Sequence, residues 1–498
     1  MKKQTFQLSS KKNREYSVGY ALFIACAAAI GGFLFGFDTA VINGTLDALR
    51  FKLGVNDAQL GLATGIAVLG AAGGAFFAGT LANKFGRRKI MIATSVLFLI
   101  SAIGCGYPYF FTTAGTAQNM IEFMVWRAIG GIGVGGASVI VPIYIAEIAP
   151  TALRGRLASM QQFAIVIGIF AALLSNYFLG KIAGGGAAVI DPVTRIASSV
   201  TQIGAFETWQ WMFWVECIPA IFYGLLVLFI PESPRYLVTQ KQYQRAGEVL
   251  GKILSPQIAI RKIEEIKKSL HSEIAPKFSD LLEKISGKVR LKPIVWVGIG
   301  IAALQQFVGI NVIFYYGAVL WKSVGFTQQD AMVTNVITSA VNIAGTVIAI
   351  LLVDKVGRKP LLKVGSIGMS ITLGIMAVIF YTAGLDAHGN PAITGVVAYI
   401  AVISANIYVL FFAFSWGPVC WILLGEMFNL RIRGAAIALA GLSQWLANFV
   451  VAGTFPTLLT KIGLGGAYGI YFIFALVSIF FVWSKKIIPP TEGDLEKI

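Results

Sequence analysis

Three ionisable residues, Asp38, Arg127 and Glu216, stand inside stretches otherwise built from apolar side chains. A charge at the centre of a bilayer costs at least about 2.5–3.5 kcal/mol, so such groups are expected to pair with one another or to carry a function. A carboxylate beside a guanidinium is either a static ion pair or a proton site. Burial disfavours the charged carboxylate and a nearby cation favours it, so movement of Arg127 relative to Asp38 would change the proton affinity of the acid. Glu216 offers Arg127 a second acidic partner.

Uncharged hydrogen-bonding side chains recur in the same apolar stretches: Gln161 and Gln162 in the first half of the chain, then Gln305, Gln306, Asn311, Asn335, Asn342, Gln444 and Asn448. An amide presents two donors and two acceptor lone pairs, so a ring of amides can complement a polyol without requiring charge on the ligand. Interhelical hydrogen bonds, about 0.6 kcal/mol each, are the alternative use, and Asn335 is assigned to it. Gln444 and Asn448 lie four apart and share a helical face. Gln306 and Asn311 share none on an ideal helix, so they converge only if that helix breaks, and Gly309 is the expected break.

Other chemistries find little to work with. The only histidines, His271 and His388, lie in polar stretches, and the four cysteines (Cys26, Cys105, Cys217, Cys420) stand singly in apolar runs. No metal, no cofactor and no enzyme activity is expected, because no metal cluster and no nucleophile–base constellation can be assembled from these residues. Gly131-Ile132-Gly133-Val134-Gly135-Gly136 matches the glycine pattern of a dinucleotide loop, yet no strand precedes it, and it reads as close helix packing. There is no Walker A sequence, which argues against ATP-driven work.

The elements that must hold these groups are membrane helices. Of 498 residues 57% are hydrophobic and only 13% charged, too few charges to cover a water-facing surface. Runs of about 20 apolar residues, the length that crosses a bilayer, fall near 18–42, 59–81, 90–110, 120–146, 156–180, 208–230, 293–321, 331–353, 361–383, 392–425, 435–460 and 466–484. The first follows Lys2, Lys3, Lys11, Lys12 and Arg14 like a signal peptide, but it continues past Asp38 to Val41, longer than a signal core. The expected fold class is an all-α membrane protein with two six-helix bundles, 1–230 and 293–498. The polar stretch 231–292 between them is expected to form short amphipathic helices, with Ala246, Val249, Leu250, Ile253, Ile260, Ile263, Ile266 and Leu270 at helical spacing.

The net charge of +17 could suggest nucleic acid, but its distribution does not. Of 40 Lys and Arg, 33 fall in the tails and in alternate loops that share one side, six fall on the other side, and Arg127 is inside a run. That asymmetry places both tails in the cytoplasm and makes the charge a topology signal.

The halves repeat each other. Leu81-Ala82-Asn83-Lys84-Phe85-Gly86-Arg87-Arg88-Lys89 returns as Leu352-Val353-Asp354-Lys355-Val356-Gly357-Arg358-Lys359-Pro360 at an offset of 271. Glu147 with Arg154 returns as Glu426 with Arg433 at 279, and Phe35-Gly36-Phe37-Asp38 as Val308-Gly309-Ile310-Asn311 at 273. Nearly equal offsets argue for duplication of a six-helix unit around a midplane site. Asn311 keeps the shape and hydrogen bonding of Asp38 but cannot ionise, so a single half would bind a proton.

These loops resemble the sugar porters of the major facilitator superfamily, as do Arg127-Ala128-Ile129-Gly130-Gly131, Pro231-Glu232-Ser233-Pro234-Arg235, Gln305-Gln306-Phe307-Val308-Gly309-Ile310-Asn311 and Gly417-Pro418-Val419-Cys420-Trp421. The likeness covers essentially the whole chain, with bacterial sugar–proton symporters nearest. Asn83 departs from the Asp that many members carry, and Pro489-Pro490-Thr491-Glu492-Gly493 from the usual Pro-Glu-Thr-Lys-Gly. The resemblance implies that Gln162, Gln305, Gln306, Asn311, Asn342 and Trp416 line a sugar pocket bounded by Phe35 and Trp445, and that Asp38 is the proton carrier. It implies an inner gate of Arg87, Glu147, Arg154, Arg358, Glu426 and Arg433. Ile169 and Phe314 stand where xylose–proton symporters place Gln and Leu, which favours D-glucose or a close hexose. The expected partners are therefore a monosaccharide, a proton and the lipid bilayer of a bacterial inner (plasma) membrane, with no obligatory protein partner. A passive facilitator is the rival. A sugar sensor is a more distant one, expected to carry a long tail where about fifteen residues follow the last run.

Overall fold

The computed structural model describes residues 17–111, 117–150, 153–191, 197–272, 278–285, 288–384, 393, 395–429 and 432–484. In chain order the helices are α1 (Val18–Val41), α2 (Leu46–Leu53), α3 (Asp57–Phe85), α4 (Arg87–Gly106), α5 (Ala117–Ile148), α6 (Arg154–Ile182), α7 (Thr208–Trp214), α8 (Cys217–Phe229), α9 (Pro234–Thr239), α10 (Tyr243–Ile253) and α11 (Pro256–Ser272). After the polar stretch come α12 (Pro293–Phe307), α13 (Ile310–Ser323), α14 (Gln328–Val356), α15 (Arg358–Thr382), α16 (Val396–Phe414), α17 (Trp416–Glu426) and α18 (Arg433–Trp483).

Counted through short breaks, 11 described segments are long and apolar enough to span a membrane. The last, α18, has 51 residues. That is about 76 Å of helix, more than twice the hydrocarbon thickness. It bends at Gly463, whose φ of 69° and ψ of 175° are not helical. Read as two crossings, α18 completes the twelve that the hydropathy pattern predicts.

Three crossings are broken, and each break lies next to a polar group of interest. Val308 and Gly309 part α12 from α13, with Gly309 left-handed at φ 84°. Val215 and Glu216 part α7 from α8, and Ser415 parts α16 from α17. Close approach is the rule elsewhere. A methyl on Gly36 would lie 1.9 Å from the Ile165 carbonyl oxygen, and one on Gly168 2.0 Å from that of Phe33, so α1 and α6 touch backbone to backbone.

The two sets of six crossings meet along α3 with the first part of α18, where a methyl on Gly61 would sit 2.1 Å from the Gly453 carbonyl oxygen, and along α6 with α14. At one end of this seam Asn43 reaches Phe314, Ala318 and Asn335, and Lys322 pairs with Asp47. In the polar stretch, Leu237, Val238 and Ala246 bury one another against Val249, Ile263, Ile266 and Leu270. Ile260 departs from the expected inward face and is 64% exposed. Three two-stranded antiparallel ribbons, Ala188–Ile190 with Ala197–Val200, Gln202–Ile203 with Phe206–Glu207, and Leu282–Ile285 with Lys288–Leu291, were not legible from hydropathy.

Candidate functional site

The intramembrane charges meet where α1, α4 and α5 pack together beside the α7–α8 break. Arg127 Nη1 donates to Asp38 Oδ1 at 3.0 Å and to the Asp38 carbonyl at 3.1 Å, with side chains 2% and 1% exposed. Gly130, one turn beyond Arg127, lets the carboxylate come close: a methyl there would lie 3.0 Å from Asp38 Oδ1 and 2.3 Å from Ser101 Oγ. The pair is under-satisfied. Asp38 Oδ2 and Arg127 Nε have no hydrogen-bond partner among the described residues. Glu216, fully buried at the α7–α8 break, lies within electrostatic reach of both, yet among the described residues neither of its oxygens has a hydrogen-bond partner. Arg127 thus takes Asp38 as its bonded partner and leaves Glu216 as a neighbour. A buried ion pair flanked by a third, unbonded acid has capacity for one more proton.

Across the seam the amides form one connected chain. Because Gly309 turns the backbone, Asn311 Nδ2 reaches Gln306 Oε1 at 2.6 Å, five residues back, and Asn448 Oδ1 at 2.8 Å. Gln306 Nε2 donates to Gln305 Oε1 at 3.4 Å, which also accepts from Gln444 Nε2 at 2.5 Å. Gln305 Nε2 is held by the carbonyls of Trp416 and Gly417 at 2.8 and 3.1 Å, just past the Ser415 break. The broken crossing α12–α13 and the first part of α18 therefore present five convergent amides, braced by carbonyls at the Ser415 break, a surface of donors and acceptors without net charge, suited to hydroxyls.

The other expected pocket residues divide. Phe35 and Trp445 pack against each other across the seam, centroids 5.9 Å apart and ring planes tilted by 39°. Gln162 and Ile169 are half-buried on α6, with Ile169 beside Gly36 of α1. Phe314 and Asn342 are buried. Trp416 is fully buried beside the Ser415 break, and its ring N–H donates to Ser366 Oγ at 2.9 Å, which fixes the orientation of the ring. Asn335 bonds Asn43 at 2.9 Å, the interhelical use expected of it.

The charged loops repeat in geometry as in sequence. Arg87 Nε and Nη2 grip Glu147 at 2.9 Å each while Nη1 caps the Ala82 carbonyl at 3.1 Å. Arg358 grips Glu426 at 3.1 and 2.8 Å and caps the Val353 carbonyl at 3.1 Å. Each pair joins residues of the same half. Arg433 donates to the Phe428 carbonyl at 3.2 Å, and the Arg154 side chain lies outside the described residues.

Two residues of this site were missed by sequence reasoning: Asn43 and Tyr315. Tyr315 stands one turn beyond Asn311 and is hydrogen-bonded by Asn448 Nδ2 at 3.4 Å. Its i to i+4 spacing from Asn311 was the available signal.

Residues 24–493 match the family model described as "Sugar (and other) transporter". A glucose transport protein of Synechocystis sp. is 51% identical over 475 residues, covering 95% of this chain and 96% of its own. The D-xylose-proton symporter of Escherichia coli K12 is 35% identical over 506 residues, covering 97% and 95%. Among solved structures, the inward open conformation of the xylose transporter XylE from E. coli superposes with a TM-score of 0.77 at 35% identity, covering 96% of this chain and 98% of that one. XylE described as a major facilitator superfamily proton:xylose symporter, bound to 6-bromo-6-deoxy-D-glucose, gives 0.76 at 34% identity over 97% and 99%.

Proposed function

Because the chain belongs to the sugar transporter family, an integral, multi-pass membrane protein of the major facilitator fold and no enzyme, we propose that it takes up D-glucose or a close hexose together with a proton. The observation that carries this reading is the pairing of a buried, titratable Asp38–Arg127 couple on one side of the seam with a charge-free chain of amides on the other. The first can hold a proton and the second can hold hydroxyls. The similarity to a glucose transport protein supports the hexose, and that to a D-xylose-proton symporter supports the coupling.

The two six-helix halves, 1–230 and 293–498, rock about the seam, with 231–292 as their linker. The basic residues place both tails in the cytoplasm, which makes the Asn43 end the outer closure. Gln162, Gln305, Gln306, Asn311, Asn342, Trp416, Gln444 and Trp445 with Phe35 receive the sugar, and Ile169 and Phe314 set the preference for the larger ring substituent. Arg87, Glu147, Arg358, Glu426, Arg433 and Arg154 work at the inner end. Pairs that stay within each half, as Arg87–Glu147 and Arg358–Glu426 do here, are compatible with that end being parted.

The test is uptake of radiolabelled D-glucose into proteoliposomes with and without an imposed pH gradient. Accumulation that follows the gradient, with D-xylose a weaker competitor, is the expected result. Equilibration at the same level in both arms would instead mark a passive facilitator. Xylose displacing glucose at lower concentration would overturn the hexose assignment.

A further inference from the structure

Where a proton at one site changes the affinity for sugar at another, the change is reciprocal and couples the two. On the reading above the proton sits on α1 and the sugar amides sit on α12, α13 and α18. We infer that Tyr315 is the coupling residue, its hydroxyl reporting the charge state of the Asp38–Arg127 pair to the amide chain.

Tyr315 is buried on α13, and its hydroxyl accepts from Asn448 Nδ2 at 3.4 Å. Asn448 in turn accepts from Asn311 at 2.8 Å, the link that continues through Gln306 and Gln305 to Gln444. α13 packs against α1, and the charges of Asp38 and Arg127 act on the same hydroxyl. The groups that act electrostatically on Arg127 are Asp38 on α1, Cys105 on α4, Glu216 at the α7–α8 break and Tyr315 on α13. Of these four, Tyr315 alone is also hydrogen-bonded to a member of the amide chain.

Its position is held from the short turn Ile42–Gly44 that directly follows α1. Asn43, five residues beyond Asp38, donates through Nδ2 to the Phe314 carbonyl at 2.7 Å and accepts at Oδ1 from the Ala318 N–H at 3.1 Å. These are the carbonyl and amide four residues apart that close one helical turn. The side chain of Asn43 therefore clasps the turn that bears Tyr315 and ties it to the helix that bears Asp38.

The physics of the link is the orientation of one hydroxyl. Having accepted from Asn448, Tyr315 keeps its own proton to donate. With Asp38 ionised, the carboxylate and guanidinium largely cancel at the hydroxyl. With Asp38 protonated, the pair carries a net positive charge, which draws the lone pairs of the hydroxyl toward Arg127 and turns its O–H toward the amides. Asn448 then meets a donor where it met an acceptor, and the amide chain is re-set for hydroxyls.

Tyr315→Phe removes the hydroxyl and keeps the ring. In purified protein, the apparent Kd for D-glucose is measured across pH for wild type and variant, with thermal melting as the check on folding. Wild type is expected to change affinity about 5- to 100-fold across the proton titration, and the variant less than about twofold, while gradient-driven accumulation falls relative to counterflow. A variant with weaker binding at every pH but the full wild-type pH dependence makes Tyr315 an ordinary sugar contact and overturns the inference, leaving proton coupling standing. A wild type whose affinity ignores pH, and that fails to accumulate glucose on a pH gradient, defeats both. Should Tyr315→Phe not fold, Tyr315→Leu is read by the same titration.

Discussion

Phe35-Gly36-Phe37-Asp38 and Val308-Gly309-Ile310-Asn311 occupy matching places in the two halves, and they have been put to different uses. Gly36 lies within the continuous helix α1 and lets it touch the backbone of α6, where a methyl would meet the Ile165 carbonyl oxygen at 1.9 Å. Gly309 adopts a left-handed conformation and ends α12, so that Asn311 swings onto Gln306. Two residues later the halves differ again: Asp38 takes an arginine, and Asn311 takes two amides. A duplicated unit has kept its glycine while dividing the chemistry, close packing and charge in one copy, a broken helix and neutral hydrogen bonds in the other.

The largest expected effect comes from making the halves alike at the ionisable position. Asp38→Asn should abolish gradient-driven accumulation while glucose binding and sugar-for-sugar counterflow survive, read in proteoliposomes. A purely structural pair predicts otherwise, since removing one partner of a buried pair costs about 3–5 kcal/mol and would appear as lost folding and lost binding. Accumulation by a well-folded Asp38→Asn protein would move the proton elsewhere, with Glu216 the next candidate.

Alanine at the two glycines sharpens the contrast. Gly36→Ala must push two backbones apart and should lower global stability by about 3 kcal/mol or more, seen as a lower melting temperature with little folded protein recovered. Gly309→Ala forces a side chain into a left-handed conformation at about 1–2 kcal/mol, and its methyl would lie 2.6 Å from the Tyr471 ring. Because the strain falls at the break, glucose affinity should drop about tenfold with a smaller change in melting. Equal losses of stability from both would dissolve the distinction.

Smaller effects separate the two charged loops. Arg87 and Glu147 are 8% and 11% exposed, and Arg358 and Glu426 are 27% and 41% exposed. Glu147 is also bonded by Ser233, while Glu232 accepts from the Arg87 backbone N–H at 2.9 Å. Glu147→Gln is therefore expected to cost about 2–3 kcal/mol and to slow transport, and Glu426→Gln under about 1 kcal/mol, both with glucose affinity unchanged. Loss of binding with unchanged turnover would place these groups at the wrong depth. Arg433→Ala, which removes a single bond to a carbonyl, should be smallest, slowing turnover with affinity intact.

Much of this was legible before any coordinates. Apolar run length and the placement of Lys and Arg described the crossings, and the offsets of Gly86-Arg87 and Glu147 described the duplication, because burial in lipid and backbone length act on contiguous residues. The break at Gly309 was legible too, since two amides five apart cannot share a helical face. The sequence by itself could say that Asp38, Arg127 and Glu216 must find one another or do work. Tertiary structure alone decided that Arg127 bonds Asp38 rather than Glu216, that the loop arginines pair within each half, that Ser366 holds the ring N–H of Trp416, and that Asn43 clasps the turn of Tyr315. Those outcomes join residues 50 to 275 positions apart, and they depend on how closely helices approach, which small residues such as Gly36, Gly61 and Gly130 permit only once the opposing backbone is in place.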